Sequence, residues 1–179
     1  MTEADKNFIE TCKEIIKNGY SSKGTNVRTR WEDGTEANYI SIVGVSNKYN
    51  VGKEFPMITL RNNTNTIKKA IDEILWIWQK KSNNVKDLNS HIWDQWIDEN
   101  GTIGKAYGYQ LGKKYEFKTK EGIKRMDQVD YVLYLLKNDP SSRRIMTNLF
   151  NHEELKDMRL EPCAYGTQWL VKEGKLNLI

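Results

Sequence analysis

One cysteine, one glutamate and a pair of arginines are the residues of this sequence best suited to chemistry. Cys163 lies in the segment MRLEPCAYGTQW, between a predicted short helix and a predicted strand, where an exposed thiol would react if a positive neighbour favoured the thiolate. Arg143 and Arg144 stand together, and paired guanidinium groups suit a phosphate. Glu73 lies in an apolar stretch, which favours a protonated carboxyl that can transfer protons.

Each of these residues also has a purely structural interpretation. Cys163 could be a small buried residue, and Glu73 could face solvent on its helix. Arg143 and Arg144, if they begin a strand, point to opposite faces and could form surface salt bridges. No histidine is placed to pair with Cys163, which disfavours protease-like chemistry. A thiol without a histidine fits addition to an electron-poor ring carbon, with a carboxylate handling the protons.

The pattern of apolar residues predicts the elements that would position these side chains. Helical and alternating periodicities, with their turn signals, predict the following segments: a helix over 3–18, a strand over 38–49, a helix over 64–81 capped by Thr64 or Asn65, a short hairpin within 101–126, a helix over 127–138, a strand over 142–150, a short helix over 151–158 and a hairpin over 168–178 turning at Glu173-Gly174. With no convincing linker, residues 1–179 are predicted to form one α+β domain.

Composition excludes several classes of protein. Lysines and arginines alternate with acids at a net charge of +4, so no DNA-binding patch is expected. No apolar run is long enough to cross a membrane, and no secretory signal is visible. Cys12 and Cys163 are far apart, and His91 and His152 are isolated, which predicts a reducing, cytoplasmic location and no metal site. Cys12 falls on the apolar face of the first helix and is expected to be buried there.

Four segments in order, DEILWIWQ, HIWDQWIDENGTIGKAYGYQLG, DQVDYVLYLLKNDPSSRRI and EPCAYGTQW, resemble thymidylate synthase, in particular its Bacillus-type branch. The resemblance is collinear from about Val27 to the last residue. It implies helices packed around a mixed sheet, one face of which forms a homodimer. It also implies reductive methylation of dUMP to dTMP, with 5,10-methylenetetrahydrofolate as carbon donor and reductant.

The resemblance also assigns roles residue by residue. Cys163 matches the nucleophile that adds to C6 of uracil, and Glu73 matches the catalytic glutamate that organises water and proton transfer. The residues matching substrate-binding positions are Arg28 on the dUMP phosphate, Arg143 and Arg144 on the phosphate of the partner subunit, and Tyr107 near the cysteine. The residues matching the folate pocket wall are Ile92, Trp93, Trp96 and Leu160. Plain core packing is the alternative for the two tryptophans.

Two departures accompany this resemblance. Ala164 follows the cysteine where the family usually has histidine, as is also the case in the Bacillus-type branch. The sequence stops at Ile179, before family segments that contact the phosphate, uracil and ribose, so the C-terminal third of the domain is expected to be absent. Two alternatives stay open at this point: a non-catalytic nucleotide-binding or dimerising module derived from thymidylate synthase, and a relative that hydroxymethylates pyrimidines.

Overall fold

The computed structural model describes residues 1–179, which divide into two compact units, Met1–Thr64 and Asn65–Ile179. The main elements in chain order are α1 (Glu3–Asn18), β1 (Tyr20–Ser21), β2 (Ile40–Ser41), α2 (Thr64–Ile74), α3 (Gly108–Gly112), β3 (Tyr115–Thr119), β4 (Gly122–Met126), α4 (Gln128–Asn138), β5 (Met146–Asn148), β6 (Gly166–Lys172) and β7 (Lys175–Leu178). Helices alternate with small sheets, which confirms the α+β class. No helix is both long enough and apolar enough to span a membrane.

In the first unit, a buried cap starts α1 and confirms the helix predicted over 3–18. Thr2 Oγ1 accepts a hydrogen bond from the backbone N–H of Asp5, whose carboxylate accepts in return from Thr2 N at 2.9 Å. The same carboxylate accepts from the hydroxyl and the backbone N–H of Thr59, at 2.6 Å each. The Thr59 hydroxyl is the main reason that the pKa of Asp5 lies well below its usual value. The helix start is thereby fastened to the chain at Thr59.

The strand predicted over 38–49 is wrong except at Ile40–Ser41, which pairs antiparallel with Tyr20–Ser21. Gly44, at a φ of +76°, interrupts the extended run. Val43, just before this glycine, is 85 % exposed. The β-branched residues after Ser41 favour a strand by their propensity, but no neighbouring strand supplies hydrogen-bond partners for them. In the same unit, Cys12 is half-buried on α1.

In the second unit, the helix predicted over 64–81 changes type part of the way along. α2 begins at Thr64, where Asn62 Oδ1 accepts from the backbone N–H, and ends at Ile74. A π-helical turn, Leu75–Lys80, continues it and stops at Lys81, whose φ is +53°. The wider turn changes the directions in which the later side chains leave the helix axis. Such π-helical turns often occur at functional sites.

The core of the second unit surrounds this π-helical turn. Its buried members come from segments far apart in the sequence: Trp76, Ile77, Leu88, Trp93, Ile103, Ala106, Tyr107, Leu111 and Leu149. A second cluster, Val132, Leu135 and Ile145, joins α4 to the start of β5. The helix predicted over 127–138 is confirmed by α4, which Asp127 caps by accepting a hydrogen bond from the backbone N–H of Asp130.

Every strand pairing is antiparallel, in three separate sheets rather than the single mixed sheet that was expected. β3–β4 and β6–β7 are tight hairpins, and such short connections can join only antiparallel neighbours. Both hairpins confirm the predictions for 101–126 and 168–178. The strand predicted over 142–150 shrinks to β5 because a hydrogen bond from Ser142 N to Asp139 O holds the preceding residues in a turn. The short helix predicted over 151–158 is a 3-10 helix, His152–Asp157.

Candidate active site

Cys163 lies in the loop between the 3-10 helix and β6, after the buried Pro162, and is exposed. Its backbone N–H donates to the hydroxyl of Tyr107 at 3.0 Å. This hydrogen bond spans 56 residues of sequence and fixes the backbone that carries the thiol. The arrangement leaves the sulfur open to a substrate while its main chain is held.

Tyr107 is placed by an unusual backbone. It immediately precedes α3 at φ +28° and ψ −93°, a conformation that costs free energy for any residue other than glycine. The next residue must be Gly108, because a Cβ there would lie 2.1 Å from the carbonyl oxygen of Ser82. Tyr107 is 8 % exposed, and its ring belongs to the core. Tight packing of α3 therefore sustains the strained residue that holds the cysteine.

Burial raises the pKa of the Tyr107 hydroxyl above its ordinary value, and the Cys163 thiol and the Glu73 carboxylate raise it further. The backbone N–H of Cys163 opposes this increase. The phenol therefore keeps its proton at neutral pH. It can donate that hydrogen to a ligand or water while it accepts from the cysteine backbone.

Glu73 is half-buried in the last turn of α2 and is joined to the core by Trp93. The indole Nε1 of Trp93 donates to Glu73 Oε1 at 2.7 Å. The Trp93 ring packs against the Tyr107 ring, with centroids 5.6 Å apart and planes inclined by 63°. Thus Glu73, Trp93, Tyr107 and Cys163 form one continuous chain of contacts. The predicted apolar surroundings of Glu73 are only partly present, since Ile74 is 55 % exposed.

The four residues predicted to wall a folate pocket lie in one apolar cluster. Trp93 is buried, and Ile92, Trp96 and Leu160 pack against the same core while partly exposed. The rings of Trp93 and Trp96 meet edge to face at 5.3 Å. Trp93 thus combines core packing with a hydrogen bond to Glu73, and Trp96 keeps open ring surface beside it.

The predicted phosphate arginines are exposed. Arg143 and Arg144 lie in the turn before β5, outside the strand, so the argument that strand residues point to opposite faces does not apply to them. Neither guanidinium takes part in a salt bridge, and no hydrogen bond joins either residue to Cys163 or Glu73; among the arginines only Arg30 pairs with an acid, Glu36. Arg28 belongs to the first unit and is also exposed.

Sequence reasoning missed two buried polar networks in the second unit. In one, the carboxylate oxygen Oδ2 of Asp127 accepts from Lys81 Nζ and from Lys114 Nζ, each at 2.7 Å. Burial opposes ionisation of Asp127, but the two ammonium groups outweigh it and lower its pKa to about 2. In the other, the Glu154 carboxylate accepts hydrogen bonds from Gln110 in α3 and from Lys113 directly after it. No local pattern signals these contacts, since the partners are 13 to 46 residues apart.

No group of three or more histidine, cysteine, aspartate or glutamate side chains is arranged to hold a metal ion.

Comparison with known proteins agrees with this architecture. The model of the family described as thymidylate synthase matches residues 6–179. Thymidylate synthase 1 from Bacillus spizizenii and from Bacillus subtilis are each 50 % identical over 182 aligned positions, which cover 99 % of this chain and 63 % of theirs. A solved structure described as thermostable thymidylate synthase A from Bacillus subtilis has a TM-score of 0.90 at 49 % identity, again covering 99 % of this chain and 63 % of that one.

The fold is therefore the α+β fold of a thymidylate synthase, over the part that this chain shares with it. The chain belongs to the thymidylate synthase family. It spans 63 % of the length of the curated relatives that it matches here.

Proposed function

We propose that this chain supplies the nucleophile, the catalytic glutamate and part of the substrate-binding surface of a thymidylate synthase. The reaction is the reductive methylation of dUMP to dTMP, with 5,10-methylenetetrahydrofolate as co-substrate. The observation that carries the proposal is the exposed thiol of Cys163 on a backbone held by Tyr107, in contact through Trp93 with Glu73. Membership of the family supports the same roles.

In this proposal the thiolate of Cys163 forms a bond to C6 of the uracil ring. The electron pair of the C5–C6 double bond then moves to C5, which attacks the one-carbon group of the folate. C5 then loses its proton and the folate nitrogen leaves, which gives an exocyclic methylene on C5. Hydride from the tetrahydrofolate reduces this methylene to the methyl group as the C6–S bond breaks, which releases dihydrofolate and free Cys163; the residue must therefore be both a good nucleophile and a good leaving group. Glu73, held by the Trp93 indole, orders water and moves protons near the ring.

The proposed substrate contacts follow from exposure and charge. Arg143 and Arg144 are exposed and form no salt bridge with an acidic side chain. In a homodimer they bind the phosphate of the dUMP held by the partner subunit. Arg28 is a further phosphate contact in this proposal, on the family resemblance alone. Trp96, Ile92 and Leu160, with Trp93 behind them, form the apolar wall for folate. Two unpaired cysteines, Cys12 and Cys163, are in keeping with a cytoplasmic location.

The proposal predicts covalent trapping. 5-Fluoro-dUMP together with methylenetetrahydrofolate blocks the elimination step, so the protein should gain the mass of both molecules on Cys163. Cys163→Ser should form no adduct, whereas Cys12→Ser, which removes the half-buried cysteine of α1, should form as much as the parent chain. Intact-protein mass spectrometry measures both. An adduct of equal yield in Cys163→Ser would refute the assignment.

The exposed, unpaired arginines also favour a second candidate, a nucleotide-binding module without turnover. Titration calorimetry with dUMP separates the two. Binding that is lost in Arg143→Ala and Arg144→Ala, together with no adduct in the parent chain, would establish the binding module. Adduct formation and tritium release from dUMP labelled at C5 would establish the enzyme.

A further inference from the structure

A single carboxylate, that of Glu154, lies at the centre of a polar network in the 3-10 helix that leads into the cysteine loop. The side chain of Glu154 is 12 % exposed. Its Oε2 accepts from Gln110 Nε2 at 3.0 Å and from Lys113 Nζ at 3.0 Å. The same oxygen accepts from Asn151 Nδ2 at 2.8 Å, and Oε1 lies 3.4 Å from Lys105 Nζ. Four donors thus meet on one carboxylate.

Three of these donors also have a second partner: Asn151 Nδ2 donates to Gln110 Oε1 at 3.3 Å, Lys105 Nζ lies 2.9 Å from Asp157 Oδ2, and Gln110 is bonded to the main chain as well. Gln110 is 1 % exposed, and its amide nitrogen already donates to the carbonyl oxygen of Lys105 at 2.8 Å. Hydrogen bonds lower the pKa of Glu154 from 4.5 to about 2, against the opposing effect of burial. The hydrogen bond from Gln110 contributes most, followed by those from Lys113 and Lys105. The group is therefore a carboxylate at neutral pH. A neutral amide in its place keeps one acceptor oxygen but loses the negative charge, so the hydrogen bond from Lys113 weakens and an NH₂ group faces the Lys105 ammonium.

The segment that supplies these donors also holds the chain that follows Glu154. Lys105 N donates to Asp157 O at 2.9 Å, and Arg159 N donates to Ile103 O at 3.2 Å. Tyr107, from the same 103–113 segment, accepts from the backbone N–H of Cys163. The chain over 154–163 is therefore anchored to 103–113 at its start by Glu154, in the middle by backbone pairing, and at its end by Tyr107.

We propose that Glu154 is a positioning residue that sets the place of the Cys163 thiol by fixing the 154–163 chain on the 103–113 segment. The inference rests on the proposed function, in which Cys163 is the nucleophile. Without the carboxylate, the start of this chain separates from α3, and the Cys163 amide leaves Tyr107 more often. The thiol then spends less time in the geometry for attack on the ring, while the surfaces that bind nucleotide are unchanged.

The test compares Glu154→Gln with Glu153→Gln in the full chain. Glu153 is the matched control because it lies in the same 3-10 helix, is exposed and makes no side-chain hydrogen bond or salt bridge. Amide exchange followed by NMR reads the Cys163 N–H directly. In Glu154→Gln this amide should exchange about tenfold faster or more, because hydrogen bonds to a charged group are replaced by weaker ones to a neutral amide, and the β6–β7 amides should keep their rates. Glu153→Gln should match the parent chain.

A second measurement separates positioning from general stability. At saturating 5-fluoro-dUMP and folate, Glu154→Gln should form the Cys163 adduct about tenfold more slowly, while the Kd for dUMP stays within twofold. Unchanged Cys163 exchange, or exchange that rises equally in β6–β7, would overturn the proposal. If the parent chain itself forms no adduct, the proposed function fails, and the exchange experiment still decides whether Glu154 holds the cysteine.

A milder variant covers the case in which Glu154→Gln does not fold. Lys113→Met removes one of the four donors and leaves Gln110, Asn151 and Lys105 on the carboxylate. Its Cys163 amide should exchange about threefold faster than in the parent chain, again without change in β6–β7. An exchange rate equal to that of the parent would contradict the positioning role.

Discussion

The hydrogen bond between Trp93 and Glu73 gives the sharpest prediction about the candidate site. Trp93→Phe keeps an aromatic ring in the core but removes the N–H that lies 2.7 Å from Glu73 Oε1. A hydrogen bond to a charged group contributes about 1.5–3 kcal/mol, and the lower part of that range applies because Glu73 is half-buried. The smaller ring adds about 1–2 kcal/mol through lost packing in a side chain that is 7 % exposed. Trp93→Phe should therefore destabilise the chain by about 2.5–4 kcal/mol.

A double-mutant cycle isolates the hydrogen bond from the packing loss. Urea unfolding is measured for the parent chain, Trp93→Phe, Glu73→Ala and the double variant. The coupling free energy should be about 1–2 kcal/mol, since each single variant already removes the hydrogen bond. The control cycle uses Trp96→Phe with Glu73→Ala. Trp96 belongs to the same aromatic cluster but makes no hydrogen bond to Glu73, so its cycle should be additive within about 0.5 kcal/mol.

The outcome that refutes this reasoning is a coupling free energy below about 0.5 kcal/mol between Trp93 and Glu73. In that case the indole would act in packing alone, and the carboxylate would be oriented by other groups. Equal coupling in both cycles would also refute it, because the effect would then come from general loosening of the aromatic cluster.

Two further predictions concern the supports of the site. Gly108→Ala should destabilise the chain by more than 1 kcal/mol, as urea unfolding would show, because its Cβ would lie 2.1 Å from Ser82 O; equal stability would contradict that crowding. The second prediction concerns the stability of the fold at low pH. Folding lowers the pKa of Glu154 from 4.5 to about 2 and that of Asp127 from 3.8 to about 2. These carboxylates stabilise the fold fully above about pH 4.5, and this stabilisation is lost as the pH falls toward 2, so urea midpoints should decline there. The decline should be shallower in Glu154→Gln, and parallel curves would argue against this contribution.

The elements that the sequence predicted well are those whose signals are local. α1 and α4 follow from apolar periodicity together with a capping side chain at each start, Thr2 and Asp127. The β6–β7 hairpin follows from the Glu173-Gly174 turn, where both residues adopt positive φ. These signals need no information about the rest of the chain.

The strands predicted over 38–49 and 142–150 were too long because a strand also depends on a partner. Alternating β-branched residues indicate that a segment can extend, but its hydrogen bonds must be met by a neighbour. Residues 42–49 have no paired strand, and the backbone pairing of β5 with β6 extends only from Ile145 to Leu149. The position of the partner is a long-range property that periodicity does not contain.

The candidate site likewise contains residues that the sequence predicts and supporting contacts that it does not. Cys163 and Glu73 were singled out from their residue types and neighbours, and Tyr107 from motifs that resemble a known family. The structure connects Cys163 to Tyr107 directly and Tyr107 to Glu73 through Trp93. The supporting contacts were not predictable. Glu154 and its partner Gln110 are 44 residues apart, and α3, with five residues, is too short to show a helical period. Residues that hold a reactive group from a distance have no signature in one sequence.

The helix that carries Glu73 buries only part of its apolar residues. The period placed Ile71 and Ile74 on the inner face, yet they are 54 % and 55 % exposed. The buried residues are Trp76 and Ile77, which belong to the π-helical turn, and Glu73 meets the same core at Trp93. A carboxylate can lie against such a core only with a hydrogen-bond donor, which the indole of Trp93 supplies at 2.7 Å. Ile71 and Ile74 thus remain exposed, while the carboxylate of Glu73 is held against the core.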